Sequence, residues 1–193
     1  MADRLRADAR SNRDQILSAA LAVFRERGTE VPMKEIADRA GVGVGTLYRR
    51  FPDRDALITA TARAHLERLA DMAATSSREE SSAWLALTRF LRECAEMRLG
   101  AMFSAIEPAA HLAVQSDPRL TETRTSVTDL ITQMTRQAQD DGDLRTDLTP
   151  EDIGHLMTLQ IYTRAAESHS SAINRVLAIV LDGLRPQANS RRL

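Results

Sequence analysis

Basic and hydroxyl side chains cluster in one short stretch of the sequence, and their chemistry suits contacts with phosphates and bases. The stretch TLYRRFPDR supplies Thr46, Tyr48, Arg49, Arg50 and Arg54. Arginine neutralises phosphate groups, tyrosine donates a hydrogen bond to a phosphate oxygen, and threonine bonds a base or contacts a thymine methyl group. This set favours nucleic-acid binding, with a merely solvated surface role for Tyr48 and Arg49 as the alternative.

The familiar motifs of enzymes and metal sites are missing from the sequence: no glycine-rich phosphate loop, nucleophile elbow, His–carboxylate zinc motif or CxxC pair is present. We therefore predict no enzymatic activity, no cofactor and no metal. Glu107 and His111 are four residues apart and could hold a metal or a polar ligand group. More often, the two side chains of an isolated Glu–His pair simply bond each other at the surface. Cys94, the single cysteine, excludes an internal disulfide and fits a buried apolar site in a reducing compartment.

The segment MKEIADRAGVGVGTLYRRF, residues 33–51, predicts two short helices joined by a tight turn. Ile36 lies on the apolar face of the first helix, and Leu47 and Phe51 give the second helix its buried face. Gly41 can adopt the positive φ required where the chain leaves the first helix. This arrangement predicts a helix-turn-helix, whose second helix enters the DNA major groove.

Two further helices are predicted around this motif. One begins at an N-cap, Ser11 or Asn12, and stops at Gly28, whereas the other is capped by Asp53 and runs to about Ala74. The first three helices are expected to share one small apolar core, which consists of Ile16, Leu17, Ala20, Phe24, Ile36, Ala40, Leu47 and Phe51.

Charge is distributed unevenly along the chain, which has a net charge of −1. Residues 1–54 carry a net charge of +3 and residues 55–193 a net charge of −4. A basic end on an acidic body favours approach to DNA by that end. Runs of β-branched residues are scarce, which favours an all-helical fold. We expect a cytoplasmic protein that does not enter membranes, because the sequence has neither a secretory signal nor an apolar stretch long enough to span a bilayer.

Helical periodicity returns after a polar stretch over residues 75–82. The predicted helices cover residues 84–97, 102–114 with a kink at Pro108, 117–142, 149–161 and 173–184. Thr149 and Asp152 form a helix-start signal around Pro150. The last two helices are apolar on more than one side, which favours burial against a second copy in a four-helix bundle. Ordinary core helices of a monomer are the alternative.

The order ILSAALAVFRERG, followed by MKEIADRAGVGVGTLYRRFPDRDALI, resembles the N-terminal domain of the TetR (tetracycline-repressor-like) family of transcription regulators. The resemblance implies an all-α fold of about nine helices. A three-helix helix-turn-helix domain for DNA binding, residues 10–70, would be joined by a fourth helix to a helical ligand-binding and dimerisation domain, residues 78–188.

The resemblance also implies a function. It predicts a homodimeric repressor of transcription that binds double-stranded DNA at a palindromic operator and is released by an unidentified small hydrophobic effector. A DNA-binding factor without a ligand and a transcriptional activator are the closest alternatives. An enzyme or carrier that merely contains a helical bundle is a more distant one.

Matched position by position, the resemblance assigns a base or phosphate contact to Lys34 and a backbone contact to Arg54. It assigns base-facing positions to Gly43, Val44 and Thr46, and phosphate contacts to Tyr48 and Arg50. Arg49, next to these residues, is also predicted to bind DNA. Two departures from the family pattern stand out. Pro32 occupies a position where relatives usually have a capping Ser or Thr, so helix entry must rely on proline at the first turn. Gly43 and Val44 replace a Ser with a polar or basic neighbour, so thymine-methyl contacts and DNA shape are expected to contribute more to readout than hydrogen bonds do.

Two sets of residues are predicted in the C-terminal half. A ligand pocket is predicted from apolar and polarisable side chains, namely Trp84, Phe90, Met97, Met102, Phe103, His111, Met134, Met157 and Tyr162. A dimer interface is predicted from the last two helices, with Leu156, Leu159, Ile173, Val176, Leu177, Val180, Leu181 and Leu184. Ordinary packing is the alternative for each pocket residue taken singly.

Overall fold

The computed structural model describes residues 2–97, 117–158 and 168–186. Within these residues the secondary structure is entirely helical, which confirms the predicted all-α class. The helices are α1 (Ala2–Arg27), α2 (Met33–Arg39), α3 (Val44–Arg50), α4 (Arg54–Glu79), α5 (Ala83–Glu96), a 3₁₀ turn (Pro118–Leu120), α6 (Thr121–Asp140), α7 (Pro150–Met157) and α8 (His169–Leu184). The predicted helix over residues 102–114, with its kink at Pro108, lies outside the described residues, as do Glu107 and His111.

The chain forms two compact units, and the boundary between them falls within α4, after Glu67. In the first unit, α1, α2, α3 and the beginning of α4 share one apolar core. All eight predicted core residues belong to it: seven are buried, and Ala40 packs against it while partly exposed. Leu120 of the 3₁₀ turn completes this core from far along the sequence.

Several predicted helix boundaries were wrong, and those of α1 and α4 differ most from the structure. Helix α1 begins at Ala2, so Ser11 and Asn12 lie inside it and are not its N-cap. The segment before them is rich in Ala and Arg, which favour helix strongly enough to extend it through one Ser and one Asn. Helix α4 runs to Glu79 and includes part of the predicted polar linker, because Ser76 is completely buried and joins the packed side of the helix.

The second unit is a helical bundle in which α5 packs against α6, α7 and α8. Ser82 caps α5 by accepting a hydrogen bond from the Leu85 amide. The predicted start signal at α7 is confirmed as a capping box, since Thr149 and Asp152 bond each other's backbone amides. These bonds from Thr149 lower the pKa of the Asp152 carboxyl. No helix in the described ranges is both long enough and apolar enough to cross a membrane.

Candidate nucleic-acid interface

The turn between α2 and α3 is built by backbone hydrogen bonds around Gly41. This glycine has a φ of 67°. Its amide donates to the carbonyl of Asp38 at 3.2 Å, and the Val42 amide donates to the carbonyl of Ala37 at 3.0 Å. Together these bonds form a Schellman motif, which satisfies the last carbonyls of α2 and turns the chain towards α3. The predicted role of Gly41 is thereby confirmed.

Helix entry at α2 follows the unusual pattern expected from Pro32. This residue occupies the N-cap position without a side-chain cap, and its carbonyl accepts from the Glu35 amide at 3.0 Å. At the other end of the motif, Asp53 caps α4 by accepting from the Ala56 amide at 2.7 Å, as predicted. Both ends of the helix-turn-helix are therefore defined by local interactions.

Helix α3 has one buried residue, Leu47, whose side chain is completely inaccessible to solvent. Phe51 follows directly and is also buried, so these two side chains attach the helix to the core. On the exposed side, Tyr48 keeps 47% of its surface accessible although it is a large aromatic residue. Arg49 and Arg50 are exposed beside it. The helix thus presents a phenol and two cations to solvent, a suitable set for contacts with DNA.

The base-facing positions predicted at the start of α3 differ in their surroundings. Gly43 is exposed and forms the N-cap of the helix. Val44 is only partly exposed, because it packs against the core of the first unit. Thr46 is partly exposed, and its hydroxyl accepts a hydrogen bond from Nη2 of Arg49 at 2.8 Å. A small and mostly uncharged surface therefore begins the helix.

Like Arg49, the predicted basic contacts Lys34 and Arg54 have partners within the chain. Nζ of Lys34 donates to Oδ2 of Asp38 at 2.7 Å, one turn along α2, and this bond raises the pKa of the Lys34 ammonium group. Nη1 of Arg54 donates to the carbonyls of Thr29 and Val31, the latter at 2.6 Å, and its side chain is partly buried. Arg54 therefore ties the start of α4 to the loop between α1 and α2.

This structural role of Arg54 was missed by sequence reasoning. The acceptors are backbone carbonyls more than twenty residues away, and no side-chain pattern marks them. The same loop is also held from α1 and α2, because Arg39 donates to Glu26 at 3.1 Å and Arg27 pairs with Glu35. A DNA contact by Arg54 stays a prediction.

The residues predicted to line a ligand pocket lie partly within the described ranges. Trp84, Phe90, Met134 and Met157 are buried in the second unit, and Met97 is partly buried. A groove in this unit, lined mostly by polar residues of 77–86 and 133–141, includes Met134. The remaining predicted pocket residues, Met102, Phe103, His111 and Tyr162, lie outside the described residues.

The residues predicted for a dimer interface fall into two groups. Four of them are buried within the single chain: Ile173, Leu177, Leu181 and Leu184. Three others, Leu156, Val176 and Val180, remain partly exposed, and Leu159 lies outside the described residues. Ile179, which was noted as apolar but not assigned to the interface, is 69% exposed.

Comparison with known proteins follows the same division of the chain. The family model described as bacterial regulatory proteins, tetR family, matches residues 16–61. A second model, described as transcriptional regulator SbtR-like, C-terminal domain, matches residues 83–186. Together the two models cover the helix-turn-helix and most of the second unit.

Individual relatives support both matches. An HTH-type transcriptional regulator of Staphylococcus aureus (strain USA300) is 44% identical over 54 residues, a match that spans only 28% of this chain and 29% of that relative. A TetR transcription regulatory protein from Mycobacterium vanbaalenii is 31% identical, with a TM-score of 0.66 over 94% of this chain and 99% of the other. A TetR transcriptional regulator from Streptomyces coelicolor is 34% identical, with a TM-score of 0.64 over 91% of this chain and 99% of the other.

These matches extend over nearly the whole length of the solved relatives, and they agree with the helix-turn-helix geometry and the all-α fold. The family consists of regulators and not of enzymes. The chain therefore belongs to the TetR family of DNA-binding transcriptional regulators.

Proposed function

We propose that this chain is a homodimeric repressor that binds a palindromic operator through α3 and is released when a small apolar molecule binds its second unit. The observation that carries the proposal is the two-sided character of α3. One side is attached to the core by Leu47, and the other exposes Tyr48, Arg49 and Arg50. These residues lie on a helix that the hydrogen-bonded turn at Gly41 joins to α2.

A second copy is supported by the exposed apolar surface of α8. Ile179 and Val180 follow Val176 by three and four residues, so both are its neighbours on the surface of the helix. Ile179 is largely exposed, which is unfavourable for an isolated helix face in water. Burial of this face against its two-fold mate would form an isologous interface. Two α3 helices about 34 Å apart would then reach successive major grooves of one DNA duplex.

An apolar effector is supported by the composition of the second unit. Trp84, Phe90, Met134 and Met157 provide aromatic and flexible thioether side chains, which adapt to apolar ligands of varied shape. Cys94 lies among the buried residues of α5, and burial raises the pKa of its thiol, so the thiol stays protonated at neutral pH. We therefore favour an effector that is recognised by apolar contact over one that reacts with the cysteine.

Chromosomal fragments retained by the purified protein test the DNA-binding part of this proposal. Sequencing of these fragments should yield a short inverted repeat with half-sites about one helical turn apart. In vitro transcription from such a fragment should decrease when the protein is added, whereas an increase would identify an activator. Retention of fragments without any common sequence would contradict operator binding.

Thermal unfolding with a library of small apolar compounds tests the effector. A ligand at a concentration about 100 times its Kd stabilises the folded state by about 2.7 kcal/mol, which raises Tm by several degrees. The same compound should release the protein from the retained fragment. A compound that raises Tm without releasing DNA, or the lack of any stabilising compound, would favour the DNA-binding factor without a ligand.

A further inference from the structure

The residues of α3 that lie opposite its buried side are Gly45 and Arg49. Successive residues of an α-helix are about 100° apart, so positions two before and two after Leu47 lie on the far side of the helix from it. Gly45 and Arg49 are also four residues apart and therefore neighbours on that side. Both are exposed. They mark the centre of the surface that α3 presents to solvent, with Thr46 and Tyr48 flanking them.

No feature of the isolated chain requires glycine at position 45. Its φ is not positive, and a Cβ atom built on it would meet no heavy atom within 4 Å. Glycine inside a helix is less stable than alanine, because it loses more backbone freedom on folding. What glycine provides here is an open surface beside the Arg49 side chain.

Arg49 is oriented towards this open surface by Thr46. Long side chains of a helix lean towards its N-terminus, over the preceding turn. The bond of 2.8 Å from Nη2 of Arg49 to Oγ1 of Thr46 holds the guanidinium in that direction. A hydroxyl carries no charge, so the positive charge of Arg49 is oriented without being neutralised, in contrast to Lys34, which pairs with Asp38.

We infer that Arg49 reads a guanine in each half-site. Thr46 positions the Arg49 side chain, and Gly45 leaves open the surface beside it where the base would lie. Arginine recognises guanine through paired hydrogen bonds to O6 and N7 in the major groove. Thr46 uses one N–H of the guanidinium, and the remaining donors suffice for both guanine acceptors. The N-terminal residues of a recognition helix are those that approach base edges, and the backward lean brings Arg49 to that end. This inference rests on the proposed function, because it requires α3 to lie in the major groove.

Arg49→Lys is the decisive variant, because lysine keeps the charge and loses the planar fork. The affinity of the wild type and the variant is measured for a set of duplexes in which each base pair of the operator half-site is replaced in turn. For the wild type, replacement of one guanine should weaken binding about 5- to 150-fold. The variant should lose this preference at that base pair alone and keep the wild-type dependence of affinity on salt.

Two further variants separate positioning from simple charge. Thr46→Val should reduce the preference at the same base pair, and Thr46→Ser, which restores the hydroxyl, should recover it. Arg136→Lys serves as the matched control, since it makes the same kind of exchange at an exposed arginine of α6, outside the DNA-binding set, and should leave the base-pair profile of the wild type intact.

The inference is overturned if Arg49→Ala, which removes every hydrogen-bond donor of the side chain, weakens all duplexes equally and retains every base preference, because Arg49 would then contact only phosphate. It is also overturned if no guanine of the half-site affects wild-type binding. Retention of fragments without any common sequence would instead contradict the proposed function, so the two failures are distinguishable.

Discussion

Lys34 and Arg49 are both exposed cations of the helix-turn-helix, yet they have different partners. Lys34 is paired with the carboxylate of Asp38, and Arg49 with the hydroxyl of Thr46. A carboxylate competes with DNA phosphate for the ammonium group and also repels the phosphate. Each side chain must therefore be judged by its partner and not by its charge alone.

Removal of the carboxylate partner of Lys34 is expected to strengthen DNA binding. In Asp38→Asn, the lysine no longer has to leave an ion pair to reach a phosphate, and its pKa falls towards the ordinary value while it stays charged at neutral pH. We expect affinity for the operator to rise about two- to threefold at low salt and the gain to fade as salt is added. Fluorescence anisotropy with a labelled duplex measures both.

Asp129→Asn is the matched control, because it changes the net charge equally at an exposed position on α6. If both variants gain the same affinity, net charge explains the effect, and the Lys34–Asp38 pair has no specific role.

Arg54 bonds the loop between α1 and α2, and a substitution that keeps its charge can separate this structural role from a contact with phosphate. Arg54→Lys keeps the charge, but the shorter and compact ammonium group cannot replace the guanidinium bonds to the carbonyls of Thr29 and Val31. We expect the free energy of unfolding to fall by about 1–3 kcal/mol. Denaturant unfolding measures this loss, and the exposed Arg50→Lys should show none. Equal stability of the two variants would contradict the structural role.

Among the elements, α3 has the least intrinsic stability. It is seven residues long, begins at a glycine without a side-chain cap and has a second glycine in its first turn. A helix this short does not form alone in water. It depends on the burial of Leu47 and on the glycine turn at Gly41, so its other residues are free to form the surface that we propose faces DNA.

Gly45→Ala is expected to separate stability from binding at this helix. Alanine should raise the free energy of unfolding by up to about 1 kcal/mol, since within the described residues its Cβ meets no atom within 4 Å beyond its own stretch of helix. Affinity for the operator should fall, because the same Cβ occupies the surface beside Arg49. Thermal unfolding and anisotropy measure the two effects.

Gly154→Ala in α7 is the matched control, since a Cβ at this helical glycine also meets no atom within 4 Å. It should gain stability and keep wild-type affinity. If Gly45→Ala keeps wild-type affinity, the open surface at position 45 has no role in DNA binding.

Local signals in the sequence were sufficient to predict most elements. Gly41, Asp53 and Thr149 act within four residues of their own position, and each produced the predicted turn or cap. The ends of α1 and α4 were predicted wrongly, because Ser and Asn are tolerated inside helices when the surrounding residues or tertiary packing favour helix. Burial of Ser76 in particular depends on distant parts of the chain.

At the scale of the whole molecule, an apolar stripe predicts burial without identifying what buries it. Leu177 and Leu181 of α8 are buried by their own chain, whereas Ile179 and Val180 remain accessible to different degrees. Sequence periodicity placed all these residues on apolar faces and could not separate the core from a surface for a second copy. Because Leu177 is buried by its own chain and Ile179 is 69% exposed, Ile179 is the better position at which to test dimerisation.

Ile179→Glu is expected to produce monomers. A carboxylate at a buried two-fold interface would face its own copy and lose its hydration. Sedimentation velocity should show the mass of a single chain, and operator affinity should fall because one α3 reads only a half-site. Leu85→Glu is the matched control, because Leu85 on α5 is also an exposed branched aliphatic residue, 44% accessible. A dimer in Ile179→Glu would place the interface elsewhere.

The most direct test of the account is operator binding by the double variant Tyr48→Phe with Arg50→Ala. Both side chains are exposed, so the fold and the dimer should be unaffected. Gel shifts with a retained chromosomal fragment should show no specific complex, while the sedimentation mass stays that of the wild type. Wild-type affinity in this variant would contradict the claim that α3 is the DNA-binding surface.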